Sequence, residues 1–246
     1  MIAGLSLNYN SFFIRKIMNA IIKNIPNSIT CMNLFSGCMA SIAGFNGEFE
    51  VAMLWIFAAA VFDFFDGFVA RLLKAYSPMG KELDSLADCI SFGFAPSVMV
   101  FAYLNASTLP SWAVYSAFLI AVFSALRLAK FNIDERQTTS FIGLPTPANA
   151  LFWIALINSL ASGSVPFDVP EWAVVAVIPV FSLLLISEIP MFSLKLKSLS
   201  FSANKNLYMF IVVLILLTVI FKLFGVSLAM IFYVLLSAFT AKRQKA

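Results

Sequence analysis

The chain has 246 residues, of which 61% are hydrophobic and 11% are charged, and its net charge is +4. A soluble domain must cover its core with a polar surface, so this composition excludes one and indicates that the lipid bilayer is the solvent. The positive charge does not indicate a nucleic-acid partner, because the basic residues are distributed between apolar stretches in a regular way.

The first residues differ from the rest of the chain. Polar residues at 8–10 stand where a cleavable signal peptide needs its apolar core, so no such peptide is expected. Residues 12–25 mix basic and apolar side chains, which is typical of an amphipathic helix on a membrane surface. The sequence therefore predicts an N-terminal amphipathic cytoplasmic segment over 1–25 and one integral membrane domain over 26–246.

Eight apolar stretches follow, each bounded by Pro, Gly, Asn or charged residues. Crossing a hydrocarbon core takes about 20 apolar residues in a helix. The predicted fold class is therefore an all-α polytopic membrane protein with about eight transmembrane helices. Their predicted bounds are 28–46, 51–72, 82–104, 110–129, 144–162, 171–188, 206–222 and 225–241.

The charges alternate along these spans. Alternate connections carry nearly all the basic residues, whereas the intervening ones carry four acidic residues and Lys222. By the positive-inside rule, both chain termini and the ends of the even-numbered spans face the cytoplasm. The basic residues on that side are Arg15, Lys16, Lys23, Arg71, Lys74, Lys81, Arg127, Lys130, Arg136, Lys195, Lys197, Lys205, Lys242, Arg243 and Lys245.

The chain lacks histidine, which removes the usual zinc ligand and the commonest general base. Cys31, Cys38 and Cys89 show no paired spacing and lie in or beside apolar spans. We expect them to be unpaired thiols that pack inside the protein, and not disulfides or metal ligands.

Four aspartates stand where apolar residues are expected. Asp63 and Asp66 lie in the second predicted span, and Asp84 and Asp88 open the third. An aspartate at the middle of a membrane helix costs about 2.5–3.5 kcal/mol on insertion scales, so such residues usually line a cavity or meet a partner. At about 100° per residue, each pair lies on one face of its helix. If the two helices pack as an antiparallel hairpin, all four carboxylates face one cytoplasmic-side cleft.

Convergent carboxylates repel each other unless cations lie between them. A ligand set of oxygens alone suits hard divalent ions such as Mg²⁺ or Mn²⁺, and two such ions would offset four negative charges. Gly67, Ala70 and Gly80 leave room for a ligand beside the helices, and Arg71 offers a fork for a phosphate. The alternative is that the aspartates are interfacial residues that pair with Arg71 or Lys74.

These residues follow a pattern in two parts. The first part is D-x-x-D-G-x-x-A-R, and after a gap of eight residues the second part is G-x-x-x-D-x-x-x-D. This pattern resembles the signature of the CDP-alcohol phosphotransferase family and meets it in full. The matching residues are Asp63, Asp66, Gly67, Ala70, Arg71, Gly80, Asp84 and Asp88.

The resemblance implies a dinuclear metal centre that uses two divalent cations, Mg²⁺ or Mn²⁺. Asp63 and Asp84 would bind both ions, Asp66 one ion and Asp88 the other. Asp88 would also be the base that takes the proton from the attacking alcohol. Asn33 either joins the nucleotide contacts or packs between helices. The implied contacts with CDP-diacylglycerol are Pro26, Asn27, Ser28, Ile29, Thr30, Gly67, Ala70, Arg71, Ser77 and Gly80.

Segments 91–96, 126–132 and 141–148 resemble the phosphatidylserine synthase branch of that family. That branch transfers the phosphatidyl group of CDP-diacylglycerol to the hydroxyl of L-serine, giving phosphatidylserine and CMP. The resemblance implies this reaction for the chain, as a homodimer in the bacterial cytoplasmic (inner) membrane with its active site facing the cytoplasm. Asn149 departs from the small apolar residue that the branch has at this position.

A serine zwitterion needs a cation for its carboxylate and an acceptor for its ammonium group. Arg127, Lys130 and Asn132, at the cytoplasmic end of the fourth predicted span, are candidates for the carboxylate contact. The alternative is that Arg127 and Lys130 only anchor the span at the membrane surface. Residues 141–145 form a candidate loop that closes over the site.

Two other functions stay open at this point. The acceptor could be glycerol 3-phosphate or an inositol compound, although a phosphorylated acceptor would need more Arg and Lys near the cleft. Outside this class, four aspartates could form the ion path of a divalent-cation transporter. Transporters commonly contain inverted repeats and a site near the membrane midplane, and no repeat is evident in the sequence.

Overall fold

The structure is a computed structural model that describes the backbone of residues 2–134, 141–192 and 204–245, and the side chains of 22, 24–134, 142–192 and 204–240. Within these ranges the chain is helical apart from one pair of short strands. The helices are α1 (Ile2–Phe45), α2 (Phe49–Leu72), α3 (Pro78–Asp88), α4 (Ala95–Asn105), α5 (Ser111–Tyr115), α6 (Leu119–Ile133), α7 (Thr146–Ala161), α8 (Glu171–Ile186), α9 (Lys205–Phe221) and α10 (Phe224–Lys245). A π-helical turn (Cys89–Phe94) joins α3 to α4, and a 3₁₀ turn (Ser116–Phe118) joins α5 to α6.

Apolar helices coincide with all eight predicted spans to within four residues at each end. Among the described residues, four are long and apolar enough to cross a membrane: Asn24–Phe45, Phe49–Leu72, Pro78–Asn105 and Ser111–Ile133. The other four are shorter, at Thr146–Ala161, Glu171–Ile186, Lys205–Phe221 and Phe224–Thr240. This architecture confirms the helical, polytopic fold class.

The N-terminal segment continues directly into the first span. Helix α1 contains Pro26 and runs without interruption across residue 25, where the sequence predicted a division. The structure therefore shows no break there, and the amphipathic character of 1–25 stays a prediction. Several of the basic residues used to orient the chain have side chains outside the described residues: Arg15, Lys16, Lys23, Arg136, Lys195, Lys197, Lys242, Arg243 and Lys245.

Helix α1 organises the half of the protein that carries the aspartates. It packs along α2 and also against α3, the π-helical turn and α4. A Cβ on Gly37 of α1 would lie 2.8 Å from the Cα of Ser91, so only glycine permits this approach to the π-helical turn. The Ser91 hydroxyl donates to the carbonyl of Asn33, at 3.0 Å. The π-helical turn, and with it Asp88 immediately before, is thereby held against α1.

The entry to α7 is tied to the end of α8. Strands β1 (Phe141–Ile142) and β2 (Pro190–Met191) pair antiparallel. The amide of Leu144 then donates to the carbonyl of Leu184, at 2.9 Å. Gly143 makes the bend between strand and helix with a φ of +79°, a conformation that glycine adopts without strain. Part of the predicted closing loop is thus fixed to α8.

The cysteines are unpaired, as predicted, but the expected burial is wrong for two of them. Cys31 and Cys38 are exposed on the outside of α1, and Cys89 is half-buried. In a membrane helix an apolar residue can face lipid as readily as the protein interior, so position in a span did not determine burial.

Candidate metal and nucleotide site

Three of the four predicted carboxylates meet at one point. Asp63, Asp66 and Asp84 each offer one carboxylate oxygen, and these oxygens all lie within 4.8 Å of one another. Helices α2 and α3 make few direct backbone contacts, so the predicted hairpin is not a closely packed pair. The carboxylates converge because both helices pack on α1.

The turn between α2 and α3 is determined by local sequence. Helix α2 ends where Lys74 adopts a left-handed φ of 51°, and the amide of Ala75 donates back to the carbonyl of Ala70, at 3.0 Å. These features form a Schellman motif, which satisfies carbonyls at the helix end. Helix α3 starts with Ser77, whose hydroxyl accepts from the amide of Gly80 at 3.0 Å, and with proline as its first residue.

This turn forms one wall of a cleft of about 220 Å³. The middle of α1, at Pro26, Asn27 and Thr30, and the carboxylates of Asp66 and Asp84 complete the walls. The cleft is lined by Pro26, Asn27, Thr30, Asp66, Gly67, Ala70, Ala75, Tyr76, Ser77, Gly80, Lys81 and Asp84.

Seven of the ten residues predicted to contact CDP-diacylglycerol line this cleft: Pro26, Asn27, Thr30, Gly67, Ala70, Ser77 and Gly80. Ser28, Ile29 and Arg71 do not. Ser28 is exposed and its hydroxyl donates to the carbonyl of Asn24, at 3.1 Å. Arg71 is also exposed, at the end of α2. Their predicted contacts stay predictions.

Three residues that the sequence interpretation did not assign also line the cleft: Ala75, Tyr76 and Lys81. Tyr76 belongs to the turn whose shape brings α3 towards α1. Lys81 directly follows Gly80 of the signature, and its ammonium donates to the carbonyl of Asn132, at 3.0 Å. The charge pattern of the sequence indicates Lys81 only as a cytoplasmic-side residue, whereas its position in the cleft gives the cleft a cation that suits an anionic ligand.

The site has the properties expected of a cation site. Oδ1 of Asp84 is buried and has no hydrogen-bond partner among the described residues. Such an unpaired acceptor beside two other carboxylates fits a divalent cation, which prefers oxygen ligands. The Thr30 hydroxyl donates to Oδ2 of Asp66 at 2.6 Å and so orients that carboxylate from the neighbouring helix.

Asp88 lies one helical turn beyond Asp84 and outside the group of three. Its Oδ1 accepts from the side-chain amide of Asn33, at 3.3 Å. Its carboxylate is close enough to those of Asp63 and Asp84 for their negative charges to repel each other. Asn33 is fully buried, so of the two interpretations of this residue, the structure favours packing between helices, with a hydrogen bond to Asp88.

The three candidate serine contacts have different surroundings. Lys130 pairs with Glu188, with 2.5 Å between Nζ and Oε1, and Asn132 donates to the hydroxyl of Ser85, at 2.9 Å. Arg127 is buried, and its Nε has no partner among the described residues. Its guanidinium carbon lies 5.0 Å from the ring centre of Phe131. Of these three residues, Arg127 is the one with a buried donor that has no hydrogen-bond partner among the described residues.

Comparison with known proteins identifies the family. The sequence model of the CDP-alcohol phosphatidyltransferase family matches residues 23–241. The chain is also similar to several proteins named CDP-diacylglycerol–serine O-phosphatidyltransferase. It is 41% identical to that of Bacillus subtilis over 123 residues, which is 50% of this chain and 69% of the relative.

Two further relatives carry the same name. The chain is 34% identical to the Mycobacterium leprae protein over 174 residues, or 68% of this chain and 57% of the relative. It is 35% identical to the Methanocaldococcus jannaschii protein over 157 residues, or 63% of this chain and 69% of the relative. The matched stretch thus spans little more than half of one relative. Because the family match covers most of the chain, including every aspartate of the cluster, the chain belongs to the CDP-alcohol phosphatidyltransferase family.

Proposed function

We propose that this protein transfers the phosphatidyl group of CDP-diacylglycerol to the hydroxyl of L-serine, giving phosphatidylserine and CMP. The observation that carries the proposal is the convergence of the Asp63, Asp66 and Asp84 oxygens within 4.8 Å, beside a cleft that the start of α3 closes. Family membership supports the donor and the transfer chemistry. The names of the relatives support serine as the acceptor.

The four aspartates are the proposed ligands of two divalent cations, Mg²⁺ or Mn²⁺. Bound cations would neutralise negative charge on the diphosphate as the phosphorus–oxygen bond to CMP breaks. The protein's own part is to hold the carboxylates in place, which the Thr30 hydroxyl does for Asp66. Asp88 is the proposed base, because it stands next to the cluster and its other neighbour is the amide of Asn33.

The reaction balances without another reactant. The serine hydroxyl oxygen attacks the phosphorus that carries the diacylglycerol group, and its proton passes to Asp88. The bond from that phosphorus to the diphosphate bridging oxygen breaks, and CMP leaves with the electron pair. The ammonium of Lys81, a residue that lines the cleft, is the proposed contact for a phosphate oxygen of the donor.

We also propose that all eight apolar helices cross the membrane, with the carboxylate cleft at the cytoplasmic side of the bacterial inner membrane. The distribution of basic residues supports this orientation. The protein is also proposed to form a homodimer, on the basis of family resemblance alone. The transporter alternative receives no support from the family match, which covers the carboxylates themselves.

The test is incorporation of labelled L-serine into lipid by the purified protein in detergent. With CDP-diacylglycerol and a divalent cation, we expect labelled phosphatidylserine and CMP in equal amounts. Chelation should stop both products, and Mg²⁺ or Mn²⁺ should restore them. Turnover that resists chelation would contradict the cation requirement, and CMP without labelled lipid would contradict transfer to serine.

A further inference from the structure

The cytoplasmic end of α6 is joined to α3 by hydrogen bonds. The side-chain amide of Asn132 donates to the hydroxyl of Ser85, at 2.9 Å, and the ammonium of Lys81 donates to the carbonyl of Asn132, at 3.0 Å. The Ser85 hydroxyl in turn donates to the carbonyl of Lys81, at 3.2 Å. Lys81 and Ser85 are about one helical turn apart, so both bonds to Asn132 hold the same flank of α3.

Helix α3 has little other support on that flank. It packs on α1, but it makes few direct backbone contacts with α6 or with α2. Its C-terminal end continues into the π-helical turn, which packs on both α1 and α6. The side chains of Lys81, Glu82 and Leu86 are exposed. The first turns of α3 therefore depend on the bonds to Asn132 for their sideways position.

The end of α6 is itself held from the other side. Nζ of Lys130 lies 3.5 Å from the carbonyl of Ile186, at the end of α8, and the same ammonium pairs with Glu188. Helix α6 also packs along α8. Asn132 therefore extends from a fixed helix end, and its bond to Ser85 restricts where α3 can lie.

The position of α3 matters because this helix carries Asp84 and Asp88. Asp84 immediately precedes Ser85, and one of its carboxylate oxygens lies within 4.8 Å of oxygens of Asp63 and Asp66 on α2. Oδ1 of Asp84 is buried and has no hydrogen-bond partner among the described residues. Because no such bond fixes this oxygen, its location depends on where α3 lies, and a sideways shift of the helix would open the cluster.

We infer that Asn132 is a positioning residue for the cation site and not a contact for the acceptor. Its amide acts through Ser85 and holds α3 where Asp84 meets Asp63 and Asp66. The sequence interpretation placed Asn132 among the candidate contacts for serine, whereas its bonds in the structure lead to the helix of the carboxylates. The inference rests on the proposed function in one respect, that these carboxylates bind cations, and cation binding can be measured without either substrate.

The test measures Mn²⁺ binding to the purified protein in detergent, without substrates, from the electron paramagnetic resonance signal of free Mn²⁺. Wild type is compared with Asn132→Ala and Ser85→Ala, each of which removes one partner of the bond, and with the double variant. Ser85→Thr keeps the hydroxyl acceptor. Asn105→Ala is the matched control, because Asn105 is an exposed asparagine at the end of another helix, α4. Thermal unfolding reports the folding of each variant, and CMP release gives its KM for serine.

We expect Asn132→Ala and Ser85→Ala each to raise the dissociation constant for Mn²⁺ by about fivefold, in line with the loss of one hydrogen bond between neutral groups. The double variant should resemble either single variant, because both substitutions remove the same bond. Ser85→Thr and Asn105→Ala should bind Mn²⁺ as wild type does. The KM for serine, measured at saturating cation, should stay at the wild-type value in every variant.

Three results would overturn the inference. The first is an Asn132→Ala variant that binds Mn²⁺ normally but has a raised KM for serine, which would make Asn132 an acceptor contact. The second is an additive loss of affinity in the double variant, because the two residues would then act separately. The third is normal Mn²⁺ binding by Ser85→Ala, and this variant decides alone if Asn132→Ala does not fold.

The proposed function fails on a different result. If Mn²⁺ binding changes as expected in the variants but wild-type protein transfers nothing to serine, the positioning role of Asn132 stands and the assigned reaction is wrong.

Discussion

The hydroxyl of Thr30 donates a 2.6 Å hydrogen bond to Oδ2 of Asp66 and thereby joins α1 to the carboxylate cluster on α2 and α3. Thr30 is buried, so water does not compete for this bond. Pro26 and Asn27, in the helical turn before it, line the same cleft. One helix therefore lines the cleft and orients a proposed metal ligand.

Thr30→Val should raise the concentration of divalent cation that half-maximal turnover requires. The substitution keeps the shape of the side chain but removes the donor to Asp66. Loss of a hydrogen bond to a metal ligand typically weakens metal affinity by about 10- to 100-fold. Titration of activity with Mg²⁺ should show this shift, with kcat largely recovered at high cation concentration. Ser41→Ala is the control. Ser41 lies on the same helix, and its hydroxyl donates to the carbonyl of Gly37. Its loss should leave the titration unchanged. Identical titrations for Thr30→Val and wild type would contradict this role.

Gly67→Ala should impair donor binding without loss of stability. A Cβ at Gly67 would meet no atom within 4 Å, so a methyl group there would occupy space in the cleft. We expect a higher KM for CDP-diacylglycerol and an unchanged unfolding temperature. Gly80→Ala is the contrasting variant, because its Cβ would lie 2.9 Å from Oδ1 of Asn27 and should lower stability as well. If Gly67→Ala binds the donor normally, the lipid nucleotide does not use this cleft.

Asp88→Ala should abolish turnover while the protein still inserts and binds CDP-diacylglycerol. Removing a general base typically lowers kcat by a factor of about 10²–10⁴. CMP release measures the loss, and the thermal shift caused by CDP-diacylglycerol measures binding. Asp168→Ala, in the connection that precedes α8, should keep full activity. Turnover of Asp88→Ala within tenfold of wild type would assign the base to another residue.

Local sequence predicted a large part of this site. Helical periodicity placed Asp63 and Asp66 on one face, and the signature spacing placed Asp84 opposite them, which the structure confirms. The start of α3 was also predictable, because Ser77 followed by proline is a strong helix-start signal. These features depend on residues close together in the chain, so one sequence carries enough information to find them.

Other features depend on contacts between distant segments. The bond from Thr30 to Asp66 joins residues 36 apart, and the bond from Asn33 to Asp88 joins residues 55 apart. Neither follows from periodicity, because each depends on how α1 crosses its neighbours. The pairing of β1 with β2 is too short to leave a strand pattern in the sequence. The exposure of Cys31 and Cys38 was missed for a related reason, since lipid and protein interior favour the same apolar residues.

The central claim is that these carboxylates transfer a phosphatidyl group to serine. The most direct measurement gives purified protein CDP-diacylglycerol and a divalent cation with L-serine, glycerol 3-phosphate or an inositol compound in separate reactions, and follows CMP release. We predict release with L-serine, little with the other two acceptors, and none with any acceptor after chelation. Preferred release with glycerol 3-phosphate or inositol would contradict the acceptor, and no CMP release with any acceptor at saturating donor and cation would contradict the whole account.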